Sequence, residues 1–453
     1  MAEAAAARLT ARAAIALVTD AFTEHGPPLP DPGAPRAPGG PDGPLGWDGY
    51  GAARARAAER TGESESVVFG EAEVAGVRCA LLAFEFGFLG GSLGERTGDR
   101  LCAAYRLARE RGMPLVSLVA TGGSRMQEGM VALTQLQRVA RETVLLREAG
   151  VPHVSVLRDP ATGGGWATVG AGADVVLALP GAQIGFAGAR VRPVDADPAA
   201  YTAEGQLAAG MVDAVVPPAE LRAVLGRWLT GLTRPAPGTV PPPTVPGRGS
   251  AALAESGWEA VRRARDADRP RARAYLEAYF DVLLPLTGDR CGGTDPGMLC
   301  GVGLRDGHGV VYAAQCGTAT RPAGYRTAAR AVRLGDRLGL PVLTLVDTPG
   351  AANDDAAERA GAGAAIAEVF AAVAGARVPV TTLVVGEGGS GGALALAAPG
   401  NTWATRDSYF SVIAPEPAAA ILKRPPEEAP RTAEQLRLRP QDLVELGVVR
   451  GIV

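Results

Sequence analysis

The chain has 453 residues, which is more than one hydrophobic core usually holds and enough for two domains of about 200 residues each. Its formal net charge is −3, which argues against a general nucleic-acid binder. No apolar run reaches the roughly 18 residues that a membrane-spanning helix needs, so no membrane partner is expected. These bulk properties favour a two-domain globular protein, which we expect in the cytoplasm.

The five cysteines are odd in number, scattered and without a C-x-x-C pair, which excludes a zinc ribbon and gives no disulfide framework. They are Cys79, Cys102, Cys291, Cys300 and Cys316. We therefore expect reduced, mostly buried thiols and no bound zinc. The histidines at positions 25, 153 and 308 stand in no motif, so a hydrolase with a Ser–His or Cys–His couple is disfavoured.

Two proline-rich segments suggest how the chain is divided. Residues 1–26 are interpreted as a soluble amphipathic helix, because no basic cluster precedes their apolar part and acidic residues follow closely. Residues 27–46 are rich in proline and glycine and are predicted to be irregular. Residues 234–250 are predicted to be a proline-rich linker. The first domain then spans residues 47–233, and the second spans residues 251–453.

The two predicted domains resemble each other at a constant spacing in the sequence. Adding 227 to the residue number maps Gly112 onto Gly339, Pro114 onto Pro341, Gly123 onto Gly350, Pro152 onto Pro379 and Gly164 onto Gly391. Glycine and proline release or restrict the backbone, so a shared spacing of both predicts a shared path of the chain. We interpret this pattern as an internal duplication.

Each half repeats the same order of predicted elements. A helix leads through a G-x-P turn to an apolar strand, a glycine-containing turn, a long helix and a second strand. The first helix and the two strands span 100–110, 115–120 and 154–157 in the first half, and 325–338, 342–346 and 381–385 in the second. Strands alternating with helices predict an α/β fold with mainly parallel pairing, whose ligands lie at the carboxyl ends of the strands.

Four glycine-containing turns follow these strands. They are residues 121–125 (TGGSR) and 161–165 (ATGGG) in the first half, and 347–350 (DTPG) and 386–392 (GEGGSGG) in the second. Glycine lets backbone N–H groups approach a ligand closely, and a helix start adds free N–H groups and a positive dipole. Two such turns side by side can form an oxyanion site. Tight packing is the alternative role of these glycines, and their duplication at matched positions favours the functional one.

Longer strings in both halves resemble the carboxyltransferase of bacterial acetyl-CoA carboxylase. The first half resembles its beta subunit in segments 84–94 (FEFGFLGGSLG), 122–129 (GGSRMQEG) and 184–188 (IGFAG). The second half resembles its alpha subunit in segments 288–290 (GDR), 321–326 (RPAGYR), 347–351 (DTPGA), 386–395 (GEGGSGGALA) and 411–416 (SVIAPE). The resemblance implies two tandem crotonase (ClpP-like) spiral domains, with the acyl-CoA side in the first and the biotin side in the second.

The resemblance also implies a reaction. Carboxybiotin on a biotin carboxyl carrier protein, loaded by a biotin carboxylase, gives its carboxyl group to the alpha carbon of an acyl-CoA, with acetyl-CoA as the expected substrate. The ureido anion of biotin is the base, and two oxyanions develop, one on the thioester and one on biotin. The family's pattern implies that Gly163 and Gly164 hold the thioester enolate, while Gly391 and Gly392 hold the biotin oxygen.

Other features follow from the same resemblance. Substrate contacts are expected from Gly122, Gly123, Arg125, Tyr325, Arg326 and Gly350. The two arginines are expected to be exposed, and either contact CoA or biotin or are merely solvated. A homodimer is implied, because in this family the acyl-CoA half faces the biotin half of another protomer.

The sequence departs from the family's pattern at three places. The four-cysteine zinc ribbon of the beta family is missing, and only residues 318–320 (TAT) replace the basic loop of the alpha family, with Cys316 at a nearby lysine position. Trp166 stands in the place of a small residue, where it either fills the acyl pocket or packs under the turn. The shortened loop and the missing ribbon keep a non-catalytic homologue as an alternative. A biotin-dependent decarboxylase component is the other alternative, because it runs the same chemistry backward and its direction is set by partners.

Overall fold

The structure, a computed structural model, describes residues 8–26, 28, 40–247 and 252–453. The chain falls into two units that are divided between Thr233 and Arg234. The helices of the first unit are α1 (Ala11–Val18), α2 (Tyr50–Thr61), α3 (Glu95–Arg111), α4 (Gly129–Glu148), α5 (Gly163–Gly165), α6 (Ala203–Ala208) and α7 (Leu221–Thr233). Its strands are β1 (Ala21–Glu24), β2 (Val67–Val74), β3 (Val77–Phe84), β4 (Leu115–Thr121), β5 (His153–Thr162), β6 (Val175–Ala178), β7 (Ile184–Gly185) and β8 (Ala214–Val215).

The second unit is also built from helices and strands. Its helices are α8 (Gly257–Arg265), α9 (Ala272–Tyr279), α10 (Pro322–Leu338), α11 (Asp355–Arg359), α12 (Ala362–Ala374), α13 (Ser390–Leu394), α14 (Pro415–Ile421), α15 (Ala429–Leu436) and α16 (Pro440–Glu445). Its strands are β9 (Val282–Pro285), β10 (Met298–Arg305), β11 (His308–Gln315), β12 (Val342–Thr348), β13 (Val380–Gly389), β14 (Thr402–Ala404), β15 (Tyr409–Ser411) and β16 (Gly451–Ile452). Short 3-10 turns lie at Leu89–Gly91, Met126–Glu128, Pro198–Tyr201, Pro218–Glu220 and Pro426–Glu428, and a π-helical turn spans Trp166–Gly170.

Helices α3 and α10 form where the sequence predicts them and for the same local reasons. In α3 the residues Leu101, Ala104, Tyr105 and Ala108 are buried, a spacing of three and four that places one apolar stripe on the sheet. Helix α10 buries a similar stripe. Each helix ends at a glycine in the left-handed conformation, which a side chain would strain. A G-x-P turn follows in both units and leads directly into the next strand.

Each unit contains one eight-stranded sheet with a mixed pairing pattern. In the first, the order is β1-β2-β3-β4-β5-β6-β8, with β7 pairing β5; in the second, it is β16-β14-β13-β12-β11-β10-β9, with β15 pairing β13. The hairpins β2–β3 and β10–β11 are antiparallel, while β3–β4–β5–β6 and β11–β12–β13–β14 are parallel. Strands β4 and β12 are buried along their whole length, as near-continuous apolar runs in parallel sheets are. The predicted α/β fold with mainly parallel pairing is confirmed.

The internal repeat extends to the register of the two central strand pairs. Leu115 pairs with His153 in the first unit, and Val342 pairs with Val380 in the second, so both partners differ by 227. Each pair has one register shift near its end, between residues 119 and 121 in the first unit and between residues 346 and 348 in the second. The duplication therefore preserves the irregularity as well as the regular pairing.

The N-terminal segment differs from its prediction as a single helix over residues 1–26. Helix α1 covers Ala11–Val18 and starts at Thr10, whose hydroxyl accepts a hydrogen bond from the Ala13 N–H at 3.1 Å. The helix ends at Thr19, and strand β1 follows and pairs antiparallel with β2. The strand forms because aromatic and β-branched residues there gain hydrogen bonds from the edge of the sheet, which outweighs their helical pattern. Residues 1–7 lie outside the described residues.

The two proline-rich segments have no helix or strand where they are described. Of residues 27–46, positions 27 and 29–39 lie outside the described residues, and residues 41–46 form turns. Of residues 234–250, positions 248–250 lie outside them as well, but the preceding part packs on the second sheet. There the Arg234 carbonyl accepts from the Gly309 N–H at 2.7 Å, and the carbonyl of the buried Val240 accepts from the Thr381 hydroxyl at 2.7 Å. The described part of the predicted linker is thus hydrogen-bonded to the second unit.

None of the helices in the described parts of the chain has the length and apolar composition that crossing a bilayer requires.

Candidate active site

In the first glycine-containing turn of the first unit, residues 121–125, a threonine side chain is hydrogen-bonded to the backbone of the turn. The Thr121 hydroxyl, at the end of β4, accepts a hydrogen bond from the Gly123 N–H at 3.0 Å. Gly123 has φ of +106°, a backbone conformation that side chains rarely adopt. A Cβ added to Gly163 would lie 2.8 Å from the Gly123 Cα, so the ends of β4 and β5 touch through their backbones. Side chains are excluded from this contact, which brings the two predicted turns together.

The second glycine turn leads from β5 into α5 and contains the predicted pair of donors, Gly163 and Gly164. Gly163 has φ of +63°, and its N–H already donates to the Phe186 carbonyl at 3.1 Å. Gly164 follows in the first helical turn, where N–H groups have no intrahelical acceptor. The Gly163 N–H is therefore already used within the chain, and donation from Gly164 to a substrate stays a prediction. Gly163 supplies the left-handed bend that aims its neighbour's N–H.

The second unit builds the same pair of turns. The Thr348 hydroxyl accepts from the Gly350 N–H at 3.1 Å, as Thr121 does in the first unit. Ser390 takes the place of Gly163 and has φ of +58°, and α13 starts there. Gly391 and Gly392 lie in the first turn of α13, at the positions equivalent to residues 164 and 165.

Gly391 and Gly392 differ in the space around them. A Cβ added to Gly391 would meet no atom within 4 Å, so this glycine faces open space. A Cβ added to Gly392 would lie 2.6 Å from the Ala351 N and 2.5 Å from the Tyr325 hydroxyl, so this glycine is closely packed. The open side of the turn is the side on which a ligand can reach the helix start.

Tyr325 supports this second turn from inside the unit. Its side chain is buried, and its hydroxyl donates to the Gly392 carbonyl at 3.1 Å. The side-chain amide of Gln315 donates to the same carbonyl at 3.1 Å. Burial raises the pKa of Tyr325, which keeps the phenol protonated as a donor. The accessible surface of Tyr325 is almost nil and its hydroxyl holds the turn, so a substrate contact by Tyr325 stays a prediction.

Arg125 differs most from its expectation as an exposed substrate contact. Its side chain has no exposed surface and forms an ion pair with Glu65 at 2.5 Å. Burial alone would lower the pKa of Arg125, and the adjacent Glu65 carboxylate raises it. The guanidinium is thus charged, enclosed and bound to the protein itself, so it cannot reach CoA or biotin here. Sequence periodicity gave no sign of this, because an arginine after a strand is usually solvated.

Arg326 keeps part of its side chain accessible. Its Nε donates to the buried Asp289 carboxylate at 2.8 Å, and its Nη1 donates to the Ala360 carbonyl at 3.0 Å. About a quarter of the side chain, 26%, is exposed. Asp289 also accepts from the backbone of the loop after β9, which fixes where Arg326 points. A role in holding a substrate remains a prediction for Arg326.

The sequence interpretation missed a second buried ion pair, in the second unit. Asp347, at the end of β12, lies 2.6 Å from Arg269, and both side chains have at most 1% of their surface exposed. The same carboxylate accepts from the Glu387 N–H at 3.2 Å, inside the glycine-rich turn. The signal that could have revealed it is a lone acidic residue within an otherwise apolar strand, since such a charge requires a partner.

Trp166 packs under the turn and does not line an open pocket. It belongs to the buried core of the first unit and is 9% exposed. A Cβ added to Gly170 would lie 2.6 Å from the Trp166 ring, so the π-helical turn closes tightly over the indole. Of the two roles that the sequence left open for Trp166, the packing role is the one observed.

The thiols and the possible metal ligands add no further centre. Cys79, Cys102 and Cys300 are buried, Cys316 is half-buried and Cys291 is exposed, and all five are free. Among the described residues no group of three or more His, Cys, Asp or Glu side chains could hold a metal ion. The absence of bound zinc stays a prediction, which elemental analysis of the purified protein can test.

Comparisons with known proteins agree with the two-unit structure. A family model described as a carboxyl transferase domain matches residues 48–216, and one described as acetyl co-enzyme A carboxylase carboxyltransferase-like matches residues 252–453. The acetyl-coenzyme A carboxylase carboxyl transferase subunits beta/alpha of Saccharopolyspora erythraea are 41% identical over 418 residues, which cover 88% of this chain and 73% of that protein. The probable biotin-dependent acyl-coenzyme A carboxylase beta3 subunit of Mycobacterium bovis is 35% identical, over 90% of this chain and 83% of its own length.

A solved structure has a similar fold. The crystal structure of the transcarboxylase 12S hexamer with hydrolysed methylmalonyl-coenzyme A bound has a TM-score of 0.78, with 98% of this chain and 86% of that chain covered. Its 20% sequence identity restricts the likeness to the fold. The expectation of two tandem crotonase-like domains is confirmed.

The duplicated fold and its paired strand-end turns define a class, that of two-domain crotonase-type proteins. The relatives then specify the family. With 41% identity across most of both sequences, the chain belongs to the biotin-dependent acyl-CoA carboxylase carboxyltransferases, and it has a beta-like and an alpha-like half in one polypeptide.

Proposed function

We propose that this carboxyltransferase acts on acetyl-CoA in the cytoplasm and produces malonyl-CoA for fatty acid synthesis. The observation that carries the proposal is the matched pair of turns, in which Gly164 and Gly391 occupy equivalent first-turn positions. A reaction that develops two oxyanions needs two donor sites, and the duplication offers one in each unit. The partners we propose are a biotin carboxyl carrier protein and a biotin carboxylase.

The first unit would act on the thioester. Its Gly164 N–H points from a helix start, and the N-terminal end of a helix favours the negative charge of an enolate oxygen. Leu136 flanks this position, since a Cβ on Gly164 would lie 2.6 Å from its side chain. An apolar neighbour excludes water and strengthens the N–H···O⁻ interaction by lowering the local dielectric.

The second unit would hold biotin through Gly391 and Gly392. Carboxybiotin supplies the carboxyl group and, after its release, the base. The open space beside Gly391 fits the approach of a ring from outside, and the first-turn N–H groups fit its ureido oxygen. The Gly392 carbonyl is held by Tyr325 and Gln315, which prevents this turn from rotating as charge develops. No histidine or carboxylate dyad is needed for this scheme.

The proposed assembly is a homodimer. Its support is exposed apolar surface on each unit next to the turns: Met126, Met130 and Leu133 in the first unit, and Phe370 and Leu394 in the second. Apolar side chains exposed near one another often mark a protein interface. Light scattering should give the mass of a dimer, and a monomer that kept full activity would contradict a shared site.

The direct test is malonyl-CoA-dependent carboxylation of biocytin by the purified protein. We expect carboxybiocytin to form with malonyl-CoA, and to form more slowly with methylmalonyl-CoA and longer-chain analogues. A preference for a longer acyl group would refute acetyl-CoA as the substrate while leaving carboxyl transfer intact. Release of CO2 from malonyl-CoA without any carboxybiocytin, although biocytin is present, would instead refute transfer of the carboxyl group to biotin. No reaction with any acyl-CoA would indicate a non-catalytic homologue.

A further inference from the structure

The buried surroundings of Arg125 use every N–H group of its guanidinium. We call this group of residues the Arg125 cluster. The acceptors are Glu65 at 2.5 and 3.1 Å, the Ser92 carbonyl at 2.8 Å, the Ser92 hydroxyl at 3.2 Å, Ser66 and Thr97 at 3.2 Å, Tyr50 at 3.2 Å and Glu128 at 3.3 Å. A guanidinium has five N–H donors, and this many acceptors leave none for a phosphate or a carboxylate of a substrate.

The charges of the cluster are compensated inside the protein. Burial alone would raise the pKa of Glu65, and the charge and hydrogen bonds of Arg125 bring it below the ordinary value, so this carboxyl is ionised. Tyr50, at the start of α2, donates its hydroxyl to Glu128, and Glu128 accepts the Glu95 N–H at 2.6 Å. The cluster therefore ties the starts of α2 and α3 to the end of the 3-10 turn at Met126–Glu128.

The same cluster is joined to the first glycine turn through the backbone. The Leu93 N–H donates to the Gly123 carbonyl at 2.9 Å, and the Arg125 N–H donates to the Leu93 carbonyl at 2.8 Å. The Gly122 N–H donates to the Gly90 carbonyl at 2.9 Å. Backbone hydrogen bonds thus join residues 90–93 and 122–125 into one bridged pair of loops. The Arg125 guanidinium holds the two loops together by donating to the Ser92 carbonyl.

The bridged loops bear directly on the N–H site of the first unit. Gly123 lies against Gly163, and a Cβ on Gly123 would be only 3.7 Å from the Gly164 nitrogen. A shift of the loop by a fraction of an ångström would therefore move the turn that aims the Gly164 N–H. Misplacement on that scale can lower a rate strongly even when it originates away from the reacting atoms.

The second unit provides the contrast. Ala352 occupies the position 227 residues after Arg125, so the matching loop has no guanidinium. The structure assigns Arg125 to positioning: we propose that it holds the Gly122–Gly123 turn so that the Gly164 N–H faces the acyl-CoA thioester. The proposal rests on the proposed function of the first unit and replaces the sequence-based expectation of a direct CoA contact.

Steady-state kinetics separates positioning from contact. We expect Arg125→Lys to lower kcat for carboxyl transfer roughly 10-fold and Arg125→Met about 100-fold, with KM for the acyl-CoA changed by less than about threefold. Arg78→Lys is the matched control, because Arg78 forms an exposed pair with Glu71 in the same unit. A large rise in KM with kcat preserved would overturn positioning in favour of a CoA contact, and unchanged kinetics would overturn it as well.

A second variant protects the test from simple unfolding. Removal of one partner leaves a buried charge, whereas Arg125→Met combined with Glu65→Met removes both charges and can fold stably. We expect the double variant to keep its melting temperature within a few degrees of the wild type and still to lose kcat about 100-fold, because the Ser92 carbonyl is no longer clamped. A stable double variant with full kcat would contradict the proposal.

Hydrogen exchange gives a readout that does not require activity. In Arg125→Lys we expect faster amide exchange in residues 121–128 and unchanged exchange in the equivalent residues 348–355, which serve as the internal control. Unchanged exchange in residues 121–128 would refute the positioning role even if the wild type proved inactive with every acyl-CoA. An inactive wild type with the expected exchange pattern would refute the proposed function alone.

Discussion

The two units reach the same strand-end geometry with different residues at the critical bend. In the first unit a glycine, Gly163, adopts the left-handed conformation, and in the second unit a serine, Ser390, adopts it. Both bends lead into a helix whose second residue is a glycine, Gly164 or Gly391. The duplication has therefore kept the direction of one N–H group, while the identity of the bending residue was free to change.

The polar contacts inside the two sheets differ more. In the first unit Ser117 is hydrogen-bonded to the buried His153 at 2.9 Å, whereas the equivalent Thr344 is hydrogen-bonded to Thr382 at 2.6 Å. One unit thus has a titratable group in its core where the other has only hydroxyls. The two units share one fold, but we expect their stability to change differently at low pH. Experiments can therefore distinguish the two units.

The largest expected effect is on carboxyl transfer. A β-branched side chain at either position crowds the donor N–H, and loss of one oxyanion donor typically lowers turnover by about 100-fold or more. Both Gly164→Val and Gly391→Val should therefore lose carboxyl transfer to that extent. Gly164→Val should also destabilise the first unit, because its Cβ would displace Leu136, whereas Gly391→Val faces open space. Assays of carboxybiocytin formation measure the loss, with Gly26→Val as the control at another open position. Full turnover in either variant would remove that glycine from the site.

The next effect is acid destabilisation of the first unit. Burial lowers the pKa of His153 to about 4, while an unfolded chain has a histidine pKa near 6.5. The unfolded state then binds the proton first, so stability is retained above pH ~6.5 and falls as the pH drops towards ~4, by roughly 3 kcal/mol in all. Urea unfolding at several pH values measures this fall. Hydrogen exchange should show β5 opening before β13.

A control variant makes the acid prediction specific. His153→Gln keeps a hydrogen-bonding group for Ser117 and removes the titration, so its first unit should lose this part of the pH dependence. If the variant and the wild type showed the same fall in stability between pH 6.5 and 4, other groups would be responsible and the contrast between the two cores would not hold.

A smaller effect is expected from exchanging the bending residues. Gly163→Ser should destabilise the first unit by about 2 kcal/mol, because it adds left-handed strain and places a Cβ 2.8 Å from the Gly123 Cα. Ser390→Gly should change the stability of the second unit by no more than about 1 kcal/mol, since relief of strain is partly offset by a more flexible unfolded chain. Thermal unfolding compares the two, and equal effects would contradict the crowding inferred at Gly163.

The sequence predicted the repeated backbone well because glycine and proline carry backbone information directly. The spacing of 227 located the two central strands in each unit, and the structure reproduces that spacing in their register. It also placed Gly164 and Gly391 at equivalent helix starts. These features depend on the local backbone conformation, which the type of a single residue can indicate.

The sequence did not predict which polar groups form hydrogen bonds or ion pairs inside the fold. Arg125 follows a strand and was expected to be exposed, either as a substrate contact or as a solvated side chain, but its partner Glu65 lies 60 residues earlier and becomes a neighbour only after folding. The Gly163 N–H is occupied by the Phe186 carbonyl through the pairing of β5 and β7, which no local pattern indicates. The β1 strand was missed for the same reason, since its hydrogen bonds come from β2.

The central claim is that equivalent turns serve different substrates, and decarboxylation of malonyl-CoA without biotin tests it most directly. That partial reaction needs only a site for the thioester enolate, which we assign to Gly164. Gly391→Val should therefore retain the wild-type rate of CO2 release, and Gly164→Val should lose it about 100-fold. Circular dichroism confirms that both variants are folded. Equal loss in both folded variants, or loss in Gly391→Val alone, would contradict the assignment of the thioester to the first unit.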